Sequence, residues 1–310
     1  MKSTVLKVAR LPDMLSERLY ADYDVLEGSE SGEELEARTL RGIRALIANG
    51  ESRVSAGLIE RLPDLQVIVV FGVGYDGMDV EAARARGIAV THTPDVLTDD
   101  VADFAMTLLL GTARRIARAD RFVREGRWQQ GPFPFTRKVS GKRLGIVGLG
   151  RIGKAIAQRA AAFDMQISYH GRRPLGVDYP YYASVTELAA AVDFLLVAVG
   201  GGDSTHHMVD AGVLDALGSQ GILINVGRGS VVDEAALAQA LAEGRLLGAG
   251  LDVFEDEPRP HAGLLDLDNV LLAPHMASAT WDTRRAMSDL TLANLAAHFA
   301  GEPLPTPVPD

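Results

Sequence analysis

Leu144-Gly145-Ile146-Val147-Gly148-Leu149-Gly150-Arg151-Ile152-Gly153 is the stretch on which the fold turns. Apolar residues over Arg143–Val147 predict a buried strand, the G-x-G-x-x-G spacing predicts a tight turn, and Lys154–Phe163 predicts a helix behind it. Each glycine answers a separate physical demand. Gly148 permits the turn, Gly150 lets backbone approach a pyrophosphate, and Gly153 lets the helix pack closely on the strand. The helix start adds unpaired amide donors and a partial positive charge. The candidate dinucleotide cradle is thus Gly148 to Gly153, with Leu149, Arg151 and Ile152 between the glycines.

Downstream the rhythm repeats. Apolar runs at Gln166–Tyr169, Phe194–Val199, Ile222–Val226, Gly248–Val253 and Val270–Ala273 alternate with helical patterns. Six strands with helices between them predict a doubly wound α/β domain. The end of its second strand discriminates between dinucleotides, since an NAD site places an acid there for the ribose hydroxyls. Here Gln166–Tyr169 runs into His170-Gly171-Arg172-Arg173-Pro174 without a carboxylate. Planar, permanently charged Arg172 and Arg173 suit a 2′-phosphate, so NADP (as NADPH) is the expected cofactor and NAD a weaker alternative.

Upstream, apolar runs at Val5–Val8, Ala45–Ala48, Val67–Val70 and Ile88–Val90 alternate with helical patterns such as Ser55–Arg61 and Val80–Arg86. They predict a first parallel α/β layer over about 90 residues. One long helix is expected from Asp99 to about Arg127, then a turn-rich insert, Trp128–Phe135, whose aromatics suit an arm against a second copy of the chain. A helix over Thr283–Ala300 and a Pro-rich tail close the sequence. The expected organisation is a discontinuous domain, 1–96 with 284–310, around a second domain, 97–283.

Composition agrees with a globular protein of this kind. The chain has 310 residues, 47% hydrophobic and 23% charged, with a formal net charge of -10 and no Cys. The acidic balance argues against a nucleic-acid partner. Without Cys there is no thiolate nucleophile or Cys-ligated metal, and no cluster has metal-ligand spacing in the sequence. No apolar stretch reaches the roughly 18 residues of a membrane span, and no signal peptide is legible. A cytoplasmic protein with no membrane partner is expected.

Several stretches, in order along essentially the whole chain, resemble the D-isomer-specific 2-hydroxyacid dehydrogenases, especially their glyoxylate/hydroxypyruvate reductase branch. They are Phe71-Gly72-Val73-Gly74-Tyr75-Asp76, Thr93-Pro94-Asp95-Val96-Leu97-Thr98, the glycine turn, Asn225-Val226-Gly227-Arg228-Gly229, Asp252-Val253-Phe254-Glu255-Asp256-Glu257-Pro258 and Pro274-His275. The resemblance implies two Rossmann-like domains, a flavodoxin-like substrate domain and a doubly wound dinucleotide-binding domain, with the active site in the cleft. It implies Arg228, Glu257 and His275 as catalytic residues and Val73 and Gly74 as substrate-binding residues. Thr98, Val226 and Asp252 join the cofactor set, Asp252 toward the nicotinamide carboxamide.

The chemistry of these residue types is consistent with that assignment. Arg228 follows a strand at the sheet edge where α/β proteins place ligands, and a buried guanidinium there requires an anion. A carboxylate beside an imidazole favours its protonated form, which makes His275 with Glu257 a candidate general acid. Glycines after the strand Val67–Val70 let the amides of Val73 and Gly74 converge on a small anion. The remaining histidines are expected on the surface or in packing. A homodimeric reductase of small 2-oxo acids, making glycolate or D-glycerate, is the expected function. The alternatives are a reductase of a larger 2-oxo acid, such as 2-ketogluconate or an aryl pyruvate, and an NAD(H)-sensing corepressor-like protein.

Overall fold

A computed structural model describes residues 2–30 and 40–309 of the chain. They form two compact units, Met1–Leu97 with Ala279–Asp310, and Thr98–Ser278. Both are Rossmann-like, with every strand pairing parallel.

The first unit contains β1 (Thr4–Lys7), α1 (Asp13–Asp22), β2 (Asp24–Glu27), β3 (Ile43–Asn49), α2 (Ala56–Arg61), β4 (Val67–Phe71), α3 (Val80–Ala85) and β5 (Ala89–Thr91). The strand order is β2-β1-β3-β4-β5, the flavodoxin-like winding. All five residues of β4 are buried, as a central parallel strand covered on both faces requires. At the edge, β2 has two adjacent half-buried apolar residues flanked by exposed acids, too weak a pattern to be legible from sequence. The last helix of the chain returns to this unit and packs on β4. It begins at Trp281, two residues before the expected start, because the Thr280 hydroxyl caps it by accepting from Thr283 N. The Pro-rich tail then runs along β5, where Val308 N donates to Val90 O at 2.9 Å.

The second unit opens with a correction. In place of one helix over Asp99–Arg127 there are two, α4 (Thr98–Ala113) and α5 (Ile116–Arg124). The break is at Arg115, whose φ of 49° is left-handed and which carries no Gly or Pro signal. After a short 3₁₀ turn (Arg127–Gln130), the chain leaves Trp128 and Phe135 exposed and packs Phe133 edge-on against Phe122. The sheet follows, with β6 (Arg143–Val147), α6 (Arg151–Ala161), β7 (Gln166–His170), β8 (Tyr181–Tyr182), α7 (Val185–Ala191) and β9 (Phe194–Val197). It continues through α8 (Ala211–Leu217), β10 (Ile222–Asn225), α9 (Glu234–Ala242), β11 (Gly248–Leu251), α10 (Ala262–Leu265) and β12 (Val270–Leu272), and the final helix of the chain is α11 (Trp281–Ala300). The order β12-β11-β10-β9-β6-β7-β8 reverses direction between β6 and β9. Such a reversal opens a crevice at the carboxyl ends of the strands. The seventh strand, β8, is two residues paired to β7 and too short to read as a run.

Helix α4 lies along α6, tied by Arg159 to Asp99 at 3.0 Å and to Asp103 at 2.5 Å. At the opposite edge of the sheet from the crevice, Asp193 gathers Arg143 N (3.0 Å), the Arg143 guanidinium (3.1 Å) and Arg137 (3.0 Å). No helix among the described residues is long and apolar enough to cross a membrane.

Burial alone would raise the Asp193 carboxyl, but the hydrogen bonds from Arg143, with the charge of Arg137, hold it below its usual value. A carboxylate so held stabilises the fold only while ionised, and that contribution is lost as pH falls through its folded pKa. Asp193→Asn should therefore cost about 1–3 kcal/mol at neutral pH. The gap from the parent should close in the lower carboxylate range. Urea unfolding followed across pH checks this, and a difference that did not vary with pH would contradict it.

Candidate active site

The glycine turn sits at the carboxyl end of β6. Gly148 has φ 96°, and a Cβ there would come within 2.5 Å of Val199 Cγ1. On Gly153 a Cβ would overlap the carbonyl oxygen of Gly148, so the helix approaches the strand at glycine distance. Gly150 is different: nothing lies within 4 Å of the position its Cβ would take. It is also the N-cap of α6 and makes no side-chain cap, so the first turn of the helix presents its amides at the end of β6. Open backbone beside a helix N-terminus fits a pyrophosphate.

The neighbouring strand delivers the second element of this site. Val147 pairs with His170, and Gly148 N donates to His170 O at 2.9 Å, which ties the glycine turn to the end of β7. His170 is fixed through Nδ1, 3.0 Å from Tyr182 O. Arg172 and Arg173 follow on an exposed turn and make no ion pair among the described residues. Both guanidiniums are available to an anion, and a 2′-phosphate fits them better than a diol does. Thr98 opens α4, the helix packed along α6, and Val226 follows β10, its N–H donating to Val197 O at 3.1 Å.

Register gathers the catalytic candidates. Asn225 pairs with Leu251 and Leu251 with Leu272, so β10, β11 and β12 end level with one another and release Arg228, Asp252–Glu257 and His275 at one edge. Arg228 is half-buried, not buried as the sequence suggests, and Nη1 donates to Gly227 O at 2.9 Å. Asn225 shapes this turn. Its Nδ2 donates to Arg228 O at 2.9 Å and its Oδ1 accepts from Gly227 N at 3.0 Å. A Cβ on Gly229 would overlap the carbonyl carbon of Phe254, so the Arg228 turn and the loop bearing Glu257 are packed backbone to backbone.

His275 Nδ1 lies 2.7 Å from Glu257 Oε2, and Glu257 Oε1 accepts from Phe254 N at 2.9 Å. His275 itself has φ 49°, a left-handed conformation that its surroundings must hold. They do so through Asp252. His275 N donates to Asp252 O at 2.8 Å, while the Asp252 carboxylate accepts from Met276 N (2.8 Å) and Ala277 N (2.9 Å). Both oxygens of this buried acid thus serve the histidine turn, a role the sequence does not suggest. Burial, with the nearby charge of Glu257, raises its pKa against the two amides. Glu234 is a second positioning residue absent from the sequence reading. Buried at the start of α9, it accepts from Glu255 N (2.8 Å) and His261 N (2.9 Å), bracketing Glu257, and burial raises its pKa. A Glu in the first helical turn reads as an ordinary cap, so nothing in the sequence marks it.

Val73 and Gly74 belong to the first unit, on the loop after β4. Their N–H groups make no hydrogen bond among the described residues. The loop is braced from behind by buried His92, whose Nδ1 is 2.9 Å from Val73 O and whose ring meets Tyr75 edge-on. A cavity of about 240 Å³ lies at the amino ends of β10 and β12, lined by Arg118, Phe135, Gln220, Leu247 and Asn269 among others. None of the candidate residues lines it.

Comparisons with known proteins show what the chain as a whole is similar to. A family model described as the NAD binding domain of D-isomer specific 2-hydroxyacid dehydrogenases matches residues 106–277. The hydroxyphenylpyruvate reductase of Plectranthus scutellarioides is 52% identical over 267 residues, covering 86% of this chain and 85% of its own. A glyoxylate/hydroxypyruvate reductase of Arabidopsis thaliana is 52% identical over 268 residues, with the same 86% and 85% coverage. A solved NADPH-dependent glyoxylate/hydroxypyruvate reductase of Sinorhizobium meliloti, in complex with NADP and malonate, is 44% identical. It superposes with a TM-score of 0.94 over 99% of this chain and 97% of that one.

Proposed function

As the chain belongs to the D-isomer-specific 2-hydroxyacid dehydrogenase family, we propose that it is an NADPH-dependent reductase of small 2-oxo acids, with glyoxylate and hydroxypyruvate as substrates. The observation that carries this reading is the 2.7 Å His275–Glu257 pair on the sheet edge that also releases Arg228. NADPH, held at Gly148–Gly153 with Arg172 and Arg173 on its 2′-phosphate, supplies the hydride when bound. Arg228 receives the substrate carboxylate and polarises the carbonyl, and in the first unit the amides of Val73 and Gly74 are donors suited to a small anion. Nδ1 of His275 is committed to Glu257, so the proton for the forming alkoxide leaves from Nε2. Glu257 orients the ring through its 2.7 Å contact with Nδ1. Asp252 and Glu234 keep the two loops in register.

The 52% identity to a hydroxyphenylpyruvate reductase supports a second reading, in which an aryl 2-oxo acid is the preferred substrate. Turnover of a panel of 2-oxo acids with NADPH separates the two, and absence of turnover on all of them would favour a binding protein. His275→Ala is expected to lower turnover by about 10²–10⁴, with cofactor affinity little changed. Retention of more than about a third of the parent rate would remove His275 from the mechanism.

Cofactor choice follows from the turn after β7. Charge-assisted contacts contribute about 1.5–3 kcal/mol each, so one good contact from Arg172 or Arg173 favours NADPH over NADH by roughly 10- to 100-fold. Exposure pulls this toward the lower end. Replacing both arginines with Ala should raise KM for NADPH and leave that for NADH nearly unchanged. Equal efficiency with the two cofactors in the parent would contradict the assignment.

Trp128 and Phe135 stay 67% and 105% exposed, and large exposed aromatics on one segment suit a second copy of the chain. Light scattering should give about 66 kDa, twice the 33.1 kDa of the chain. A monomer at micromolar concentration would overturn this assembly.

A further inference from the structure

The loop after β9 and the loop after β11 bring together a second set of donors that the reduction does not use. His206 and His207 stack with ring centroids 4.0 Å apart and planes 27° apart. Glu255 Oε1 stands 2.5 Å from His207 Nε2. The donor atoms of His206, His207 and Glu255 all lie within 4.8 Å of one another, and His206 and Glu255 are open to solvent.

His207 and Glu255 each have a further group beside them. His207 Nδ1 faces Asp233 Oδ2 at 4.0 Å, and the other oxygen of Asp233 caps α9 by accepting from Ala236 N at 2.9 Å. Glu255 Oε2 accepts from Glu234 N at 3.2 Å, while Glu255 N donates to Glu234 Oε1 at 2.8 Å. A ligating carboxylate held from behind in this way is how metal sites orient their ligands. The backbone is fixed as well. His207 has φ 48°, and its N–H donates to Ser230 O at 2.8 Å. A non-glycine residue keeps a left-handed conformation only where its surroundings enforce it.

We propose that His206, His207 and Glu255 bind one divalent transition ion of the zinc class, with water completing the shell. Two imidazoles and one carboxylate select zinc, cobalt or nickel over magnesium and calcium. Donors on a tetrahedral zinc stand about 3.3 Å apart, so a rotamer change of exposed His206 closes the set without moving backbone. The ion would replace the direct His207–Glu255 hydrogen bond and link the two loops, one of which carries Glu257 two residues further on.

The test is calorimetric titration of tag-free, chelator-treated full chain with zinc sulfate, paired with cobalt titration read by visible absorption. One ion per chain and a tetrahedral cobalt spectrum are expected. Affinity should fall at least about tenfold in His206→Ala and in Glu255→Gln. His206 is exposed, so His206→Ala should melt at the parent temperature without metal. Absence of one-to-one binding, a loss below tenfold in His206→Ala or Glu255→Gln, or equal affinity for magnesium would each overturn the site.

Discussion

A buried carboxylate holds the reacting end of this molecule in place. Asp252, 1% exposed at the end of β11, accepts from the amides of Met276 and Ala277, and its own carbonyl accepts from His275 N. Those three bonds stabilise His275 at a φ of 49°, which an isolated chain would rarely populate. Burying the acid is costly, and its raised pKa records that cost. The two amide donors offset it, because hydrogen bonds to a charged acceptor exceed neutral ones in strength. The orientation of the imidazole toward Glu257 depends on this clamp.

The clamp works because the sheet is parallel. Level ends of β10, β11 and β12 release three loops side by side, although the residues they carry are up to 47 positions apart, from Arg228 to His275. Gly229 then removes the last obstacle to contact, since any Cβ would occupy the backbone of Phe254. Reciprocal bonds between Glu234 and Glu255 lock the far side of the same loop. Glu257 is thus positioned from both flanks, and its own Oε1 is taken by Phe254 N. A base or acid whose partners are all engaged loses little entropy in adopting its working geometry.

Much of this was legible in the residues themselves. The glycine turn, the six principal strands of the second unit, the parallel layer of the first and the Arg172-Arg173 pair all depend on local rules: apolar period, turn chemistry and side-chain charge. Errors arose where those rules carry no signal. Arg115 ends a helix in a left-handed conformation with no glycine to announce it, and the strands Asp24–Glu27 and Tyr181–Tyr182 are too short or too polar to form a run.

From sequence alone came the fold class and the expected phosphate cradle, because motif and period are properties of neighbouring residues, while the family resemblance supplied Arg228, Glu257 and His275 as candidates. Only the tertiary structure decided how that group is held. That Asp252 serves the backbone of the histidine turn, that Glu234 braces the loop bearing Glu257, and that His206 and His207 meet Glu255 are all contacts between segments distant in the chain. Buried hydrogen bonds of this kind are selected by which groups folding brings within about 3 Å, and no local pattern encodes that distance.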